Sequence, residues 1–118
     1  MAQELIRFQT INTEDKGVMK FLSRKLSSIG FRCKIIKSKG TGPKPALNLY
    51  AKFGNCRPHI NFLGHTDVVA NLNNWKISPF KAVVRKGYLN GRGSQDMKGG
   101  IACFISAISN FIKSLTCK

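Results

Sequence analysis

Residues 59–69 read His59-Ile60-Asn61-Phe62-Leu63-Gly64-His65-Thr66-Asp67-Val68-Val69. Ile60, Phe62 and Leu63 form a nearly continuous apolar run, which is the pattern of a central strand buried on both faces. Gly64 closes the run, and a histidine and a carboxylate follow it two residues apart. At the period of two residues that strands impose, the His65 and Asp67 side chains point the same way. In an open α/β sheet, ligands sit beyond the carboxyl ends of the strands, so the pair stands where chemistry is usually done. Three roles suit it: a metal-ligating imidazole oriented by a carboxylate, a general acid/base pair, or a hydrogen-bonded histidine at a strand end.

Upstream, Asn12, Thr13, Glu14 and Asp15 supply a helix start, after which Val18, Leu22, Leu26 and Ile29 recur at steps of three and four up to Gly30. Residues 31–37, FRCKIIK, put Phe31, Cys33 and Ile35 on one face and Arg32 and Lys34 on the other, as in a half-exposed strand. The loop SKGTGPKP follows, and residues 46–53 alternate again through Leu47, Leu49, Ala51 and Phe53. Downstream, residues 70–79 read as a polar loop, and FKAVVRKGYLN as one or two short strands. Ile101, Phe104, Ile105, Ile108, Phe111, Ile112 and Leu115 then mark a helix with a wide apolar face. The order is helix, four strands, helix. That is an α/β chain whose sheet has too few helices to cover it.

The glycine-rich turn before the last helix, Gly91-Arg92-Gly93-Ser94-Gln95-Asp96-Met97-Lys98-Gly99-Gly100, is the second informative cluster. Asp96 stands where a helix N-cap belongs, and capping accounts for it in isolation. GRGSQD matches neither phosphate-binding glycine pattern. The acid count changes the weighting. The chain carries 20 Lys and Arg against five carboxylates, for a net charge of +15, and after Lys16 only Asp67 and Asp96 remain. Both lie in glycine-bounded turns at the ends of apolar elements. A divalent metal held by carboxylate and imidazole is the simplest chemistry that uses both. Arg92 and Lys98 stand beside them as candidates to recognise an anionic substrate group, with a simply solvated cation as the alternative for either.

A charge of +15 raises nucleic acid, an anionic membrane or an acidic substrate as partners. The basic residues are spread from Arg7 to Lys118 and alternate with apolar positions, which reads as solvated faces rather than a nucleic-acid patch. No segment has the length and apolarity of a bilayer span of about 30 Å. No secretory signal is visible, and Cys33, Cys56, Cys103 and Cys117 show no zinc-like spacing. These features point to a cytoplasmic protein with reduced thiols, Cys103 among them in a core, and with neither a membrane nor nucleic acid as partner. The 42% hydrophobic content is enough for a packed domain and argues against disorder.

GHTDVV at 64–69, NNWKISPF at 73–80 and YLNGRGSQDMKGG at 88–100, in that order and spacing, resemble the N-terminal part of the M20 metallopeptidase family. The opening LIRFQTINTEDKGVMKFLSRKLSSIGF resembles the first two helices of members that deacylate a succinylated diamino acid on the route to lysine and cell wall. Ala70 and Asn90 depart from the family's usual text. The resemblance implies an α/β zinc-dependent exopeptidase-like catalytic domain, a mixed sheet flanked by helices. It implies two zinc ions, with cobalt as a substitute, sharing a bridging aspartate. His65 is then a ligand of one zinc, Asp96 the bridging ligand, and Asp67 the catalytic carboxylate that orients His65. The implied reaction is metal-assisted hydrolysis of an amide in a small anionic acyl-amino acid, by an enzyme that is a homodimer when complete. Another M20 acyl-amino acid or dipeptide substrate stays open, as does, more remotely, a small basic nucleic-acid-binding domain.

Each catalytic zinc takes about three protein ligands, and these motifs supply two donors. His59 is no substitute, because it sits at the opposite end of the expected strand. Residues 1–118 are therefore expected to be the N-terminal portion of the catalytic domain, without the rest of that domain or the lid and dimerisation domain. Such a chain is expected to be inactive alone and to expose large apolar surfaces.

Overall fold

The computed structural model describes residues 1–12, 14–39, 45–70 and 73–116. In chain order these form α1 (Ala2–Arg7), α2 (Val18–Ser27), β1 (Arg32–Ser38), β2 (Ala46–Lys52), β3 (Val83–Arg85), β4 (Tyr88–Asn90) and α3 (Lys98–Thr116). The α/β class holds. The short helix α1 is an addition to the order read from the residues, since six residues are too few to show a 3.6-residue repeat. It earns its place by burying Leu5 and Ile6 completely.

Helix α2 buries Val18, Leu22 and Leu26 on one stripe, as its spacing requires. Its start is capped from Asp15, whose two carboxylate oxygens accept the backbone N–H groups of Gly17 at 2.8 Å and Met19 at 3.0 Å. Thr13, part of the expected start signal, lies outside the described residues. Strands β1 and β2 pair antiparallel from Arg32↔Lys52 to Ser38↔Ala46. Most of the loop expected between them, residues 40–44, lies outside the described residues, as do residues 71–72 of the polar loop and Cys117. Phe31, Cys33, Leu49 and Ala51 pack against a core of Leu5, Val18, Leu22, Leu26, Ile101 and Ile105. Ile35, expected on that same face, is 40% exposed, although its cross-strand neighbour Leu49 packs against the core.

The expected buried central strand does not form. Residues 59–67 carry no strand, and Ile60 and Leu63 are 94% and 87% exposed. Instead of one mixed sheet there are two separate antiparallel pairs, β1–β2 and β3–β4. The physical reason is pairing: a doubly apolar strand is stable only between two others under helices, and no described strand lies beside this one. A single parallel bridge, Ile11↔Val68, holds its downstream end.

Helix α3 begins at the glycine turn and buries Ile101, Ala102 and Ile105. Phe104 stacks on Phe62 with ring centroids 4.3 Å apart, while Phe111 and Leu115 farther along stay exposed. Cys103, expected in a core, is exposed. At about 100° per residue it lies some 200° around the helix from the Ile101–Ile105 stripe. Among the described residues no helix is long and apolar enough to cross a membrane.

Candidate active site

Three hydrogen bonds, two of them between backbone groups, bring the downstream end of the 59–69 segment against the turn after α1. The Val68 N–H donates to the Thr10 carbonyl at 2.8 Å and the Asn12 N–H to the Val68 carbonyl at 3.0 Å. The buried Thr10 hydroxyl donates to the carbonyl of Thr66, the residue between His65 and Asp67. Thr66 and Val68 are buried, so alternation turns His65 and Asp67 outward together. Thr10 went unnoticed in the sequence, where a threonine in FQT carries no signal of its own.

The glycine turn brings the second carboxylate. The Arg92 N–H donates to the Pro79 carbonyl at 2.7 Å, and the Ser94 N–H to that of Gly91 at 3.1 Å. Gly93 sits at φ 82°, in the left-handed region that favours glycine, with Val68 and the Lys98 stem against it. Asp96 emerges from this turn with its Oδ1 3.1 Å from the Nε2 of His65. The carboxylate expected to cap the helix thus faces the histidine.

The three residues singled out in the sequence therefore meet. His65 Nδ1 lies 3.2 Å from the Asp67 carbonyl and 3.3 Å from its Oδ1. Both are acceptors, so the ring proton belongs on Nδ1. Nε2 then presents its lone pair to a carboxylate oxygen, an arrangement satisfied by a second proton or by a cation shared between the two atoms. Two donors held at about 2.0–2.2 Å by a tetrahedral zinc lie roughly 3.3 Å apart, close to the separation seen here. The donors therefore fit one edge of a metal site. They do not complete it: among the described residues no group of three or more His, Cys, Asp and Glu side chains could hold an ion. His59 is exposed at the far end of the segment.

Lys98 does not face a substrate. It is fully buried, and its Nζ donates to the Phe8 carbonyl at 2.7 Å and lies 6.0 Å from the Phe80 ring centroid. Burial pulls its pKa down to about 8, with the Asp67 charge pulling the other way. A long amphipathic side chain next to Asp67 has become a tie between α3 and the end of α1. Arg92 is half-buried with its guanidinium over the Trp75 ring, 5.2 Å from the centroid, and so fixes the 73–80 loop to the glycine turn.

The site opens at one end of a groove of about 590 Å³, whose lining includes His65, Thr66 and Asp67. Residues 62–117 match the profile of Peptidase family M20/M25/M40. The chain is 48% identical over 114 residues to the succinyl-diaminopimelate desuccinylase of Pelagibacter ubique (strain HTCC1062), covering 95% of this chain and 30% of that one. It is 42% identical over 114 residues to the enzyme of the same name from Wolbachia pipientis wMel, covering 95% and 28%. For that of Anaplasma marginale (strain Florida) the figures are 41% over 109 residues, covering 92% and 28%. The chain thus spans less than a third of the length of these curated relatives.

Proposed function

The chain belongs to peptidase family M20/M25/M40, and from that premise we propose that it supplies the N-terminal part of the catalytic domain of a metal-dependent amide hydrolase. The substrate is an N-succinyl diamino acid, as in the relatives named succinyl-diaminopimelate desuccinylase, and the products are succinate and the free diamino acid. The observation that carries this reading is the convergence of His65 Nε2 and Asp96 Oδ1 at 3.1 Å, with Asp67 behind the ring.

His65 and Asp96 would hold a divalent ion, zinc with cobalt as a substitute. Once bound, such an ion polarises an amide carbonyl and lowers the pKa of bound water. The chain's own residues do the positioning. Asp67 keeps the proton on Nδ1, which leaves Nε2 as the donor. Thr10 and the Phe8–Lys98 bond fix the backbone on either side of this triad. The remaining donors would come from polypeptide outside residues 1–118, so residues 1–118 by themselves would not hydrolyse the amide.

A chimera tests the reading. Residues 1–118 replace the matching segment of the Pelagibacter ubique relative, and succinate release from N-succinyl-diaminopimelate is measured with zinc. Release is expected, with His65→Ala lowering it by at least about 100-fold, the upper range for perturbing a metal's ligand shell. A folded chimera that releases no succinate sinks the proposal.

A further inference from the structure

We propose that Thr10 is a positioning residue for the His65–Asp96 pair: its hydroxyl, acting through the Thr66 carbonyl, aims the His65 ring and the Asp67 carboxylate toward Asp96. The inference rests on the reading of His65 and Asp96 as metal donors, and it names the residue on which their separation depends.

Packing does not aim these side chains. Those of His65, Asp67 and Asp96 are 46%, 57% and 82% exposed, so each points where its backbone sends it. Upstream of His65, residues 59–64 make no backbone hydrogen bond among the described residues. Downstream, Thr10 grips the segment at two points. Its hydroxyl donates to the Thr66 carbonyl, and its own carbonyl accepts the Val68 N–H at 2.8 Å. Thr10 and Thr66 are both buried. The Thr66 carbonyl belongs to the peptide unit that joins Thr66 to Asp67. A plane free to rotate there would let the ring and the carboxylate turn independently, and the 3.3 Å contact between them would be lost.

The same residue is bonded toward the second donor. Val68, held by the Thr10 carbonyl, packs on the glycine turn so closely that a Cβ at Gly93 would lie 3.0 Å from its Cγ1. On the other side, the Thr10 N–H donates to the Phe8 carbonyl at 2.9 Å. That carbonyl also accepts the ammonium of Lys98, two residues beyond Asp96, at 2.7 Å. One short turn thus touches the segments that carry both donors. A hydroxyl suits the position, because it donates directionally and adds no charge beside a cation site.

The test uses the chimera with the Pelagibacter ubique relative, cobalt(II) as the probe, and a graded series of donors at residue 10. Cobalt affinity is read from visible absorption, and His65→Ala marks the signal that belongs to this site. Thr10→Val keeps the shape without the donor and should weaken cobalt binding about tenfold, the lower range for groups that orient a metal's ligands. Thr10→Ser should stay within about twofold of the parent, and Thr10→Cys, a weak S–H donor, should fall between. In the metal-free 118-residue chain, Thr10→Val should quicken exchange of the Val68 amide about tenfold. Val18→Ala, buried on α2 and outside the groove lining, should lower the urea midpoint and leave cobalt affinity unchanged. Affinity that ignores the donor at residue 10, or that falls as far in Val18→Ala, overturns the positioning role. The order of Ser and Cys decides the matter even if Thr10→Val does not fold. Affinity that follows the donor series without succinate release upholds the role of Thr10 and sinks the hydrolase reading. Release with affinity unmoved by Thr10→Val does the reverse, and a folded chimera that binds no cobalt overturns both.

Discussion

The turn at residues 91–97 and the segment at 59–64 are both irregular backbone, yet they end in opposite conditions. The turn is held by backbone bonds from Arg92 to Pro79, Ser94 to Gly91 and Lys98 to Gly93, and by the Lys98 ammonium on the Phe8 carbonyl. The segment makes no backbone hydrogen bond among the described residues, and two of its apolar side chains lie in solvent. Asp96 and Ile60 thus report different dependencies. The site's geometry is built from contacts inside this chain, whereas the apolar run that should support it needs neighbouring strands not found among the described residues.

The sharpest way to break the contrast is to push a methyl group from the start of α3 against the turn. A Cβ at Gly99 would run into the Ser94 carbonyl oxygen, a backbone atom with nowhere to go, whereas one at Gly100 meets nothing within 4 Å. Gly99→Ala should lower the unfolding free energy in urea by about 3 kcal/mol, the upper range for overpacking. Gly100→Ala, one residue along the same helix, should raise it by about 0.5–1 kcal/mol through lost unfolded-state entropy. Equal effects at the two positions would show that the turn is not tightly built.

Lys98→Met comes next. It keeps most of the buried stem and removes the ammonium, leaving the Phe8 carbonyl without this donor. The expected loss is about 2 kcal/mol in the same urea titration, within the range for losing a hydrogen bond from a charged donor, since the Phe8 carbonyl still accepts the Thr10 N–H at 2.9 Å. A neutral result would mean that the end of α1 is not tied to α3 through this side chain.

These two regions also mark how far the sequence could be read. Asp96, His65 and Asp67 were legible because acids are scarce in a basic chain, and because each stands at a glycine-bounded end of an apolar element. Helix α2 was legible because Val18, Leu22 and Leu26 share a stripe in any surroundings. Ile60–Leu63 was misread as a formed strand, because periodicity reports the environment a segment is suited to, not whether its neighbours are present. Cys103 was misplaced because α3 is apolar on most of its circumference, so composition did not show which side the core occupies. Lys98 was read as a candidate to recognise an anionic substrate group because a single sequence does not show that a carbonyl waits for it at Phe8.

The smallest expected effect is the most discriminating for the comparison. Leu63 in a completed sheet would be a core residue, and cutting it back would cost on the order of 2–5 kcal/mol. In this chain it is 87% exposed, so little apolar surface leaves water when it folds, and there is no packing to lose. Leu63→Ser should therefore shift the urea stability of the 118-residue chain by no more than about 0.5 kcal/mol, the range for an exposed position. The same substitution in the chimera, where the rest of the relative is present, should cost several times more. A large loss in the isolated chain would mean that residues 60–63 are already packed there, and the contrast between the two regions would collapse. A negligible loss in both would mean that no strand covers Leu63 in the longer protein, and the apolar run would then need a different explanation.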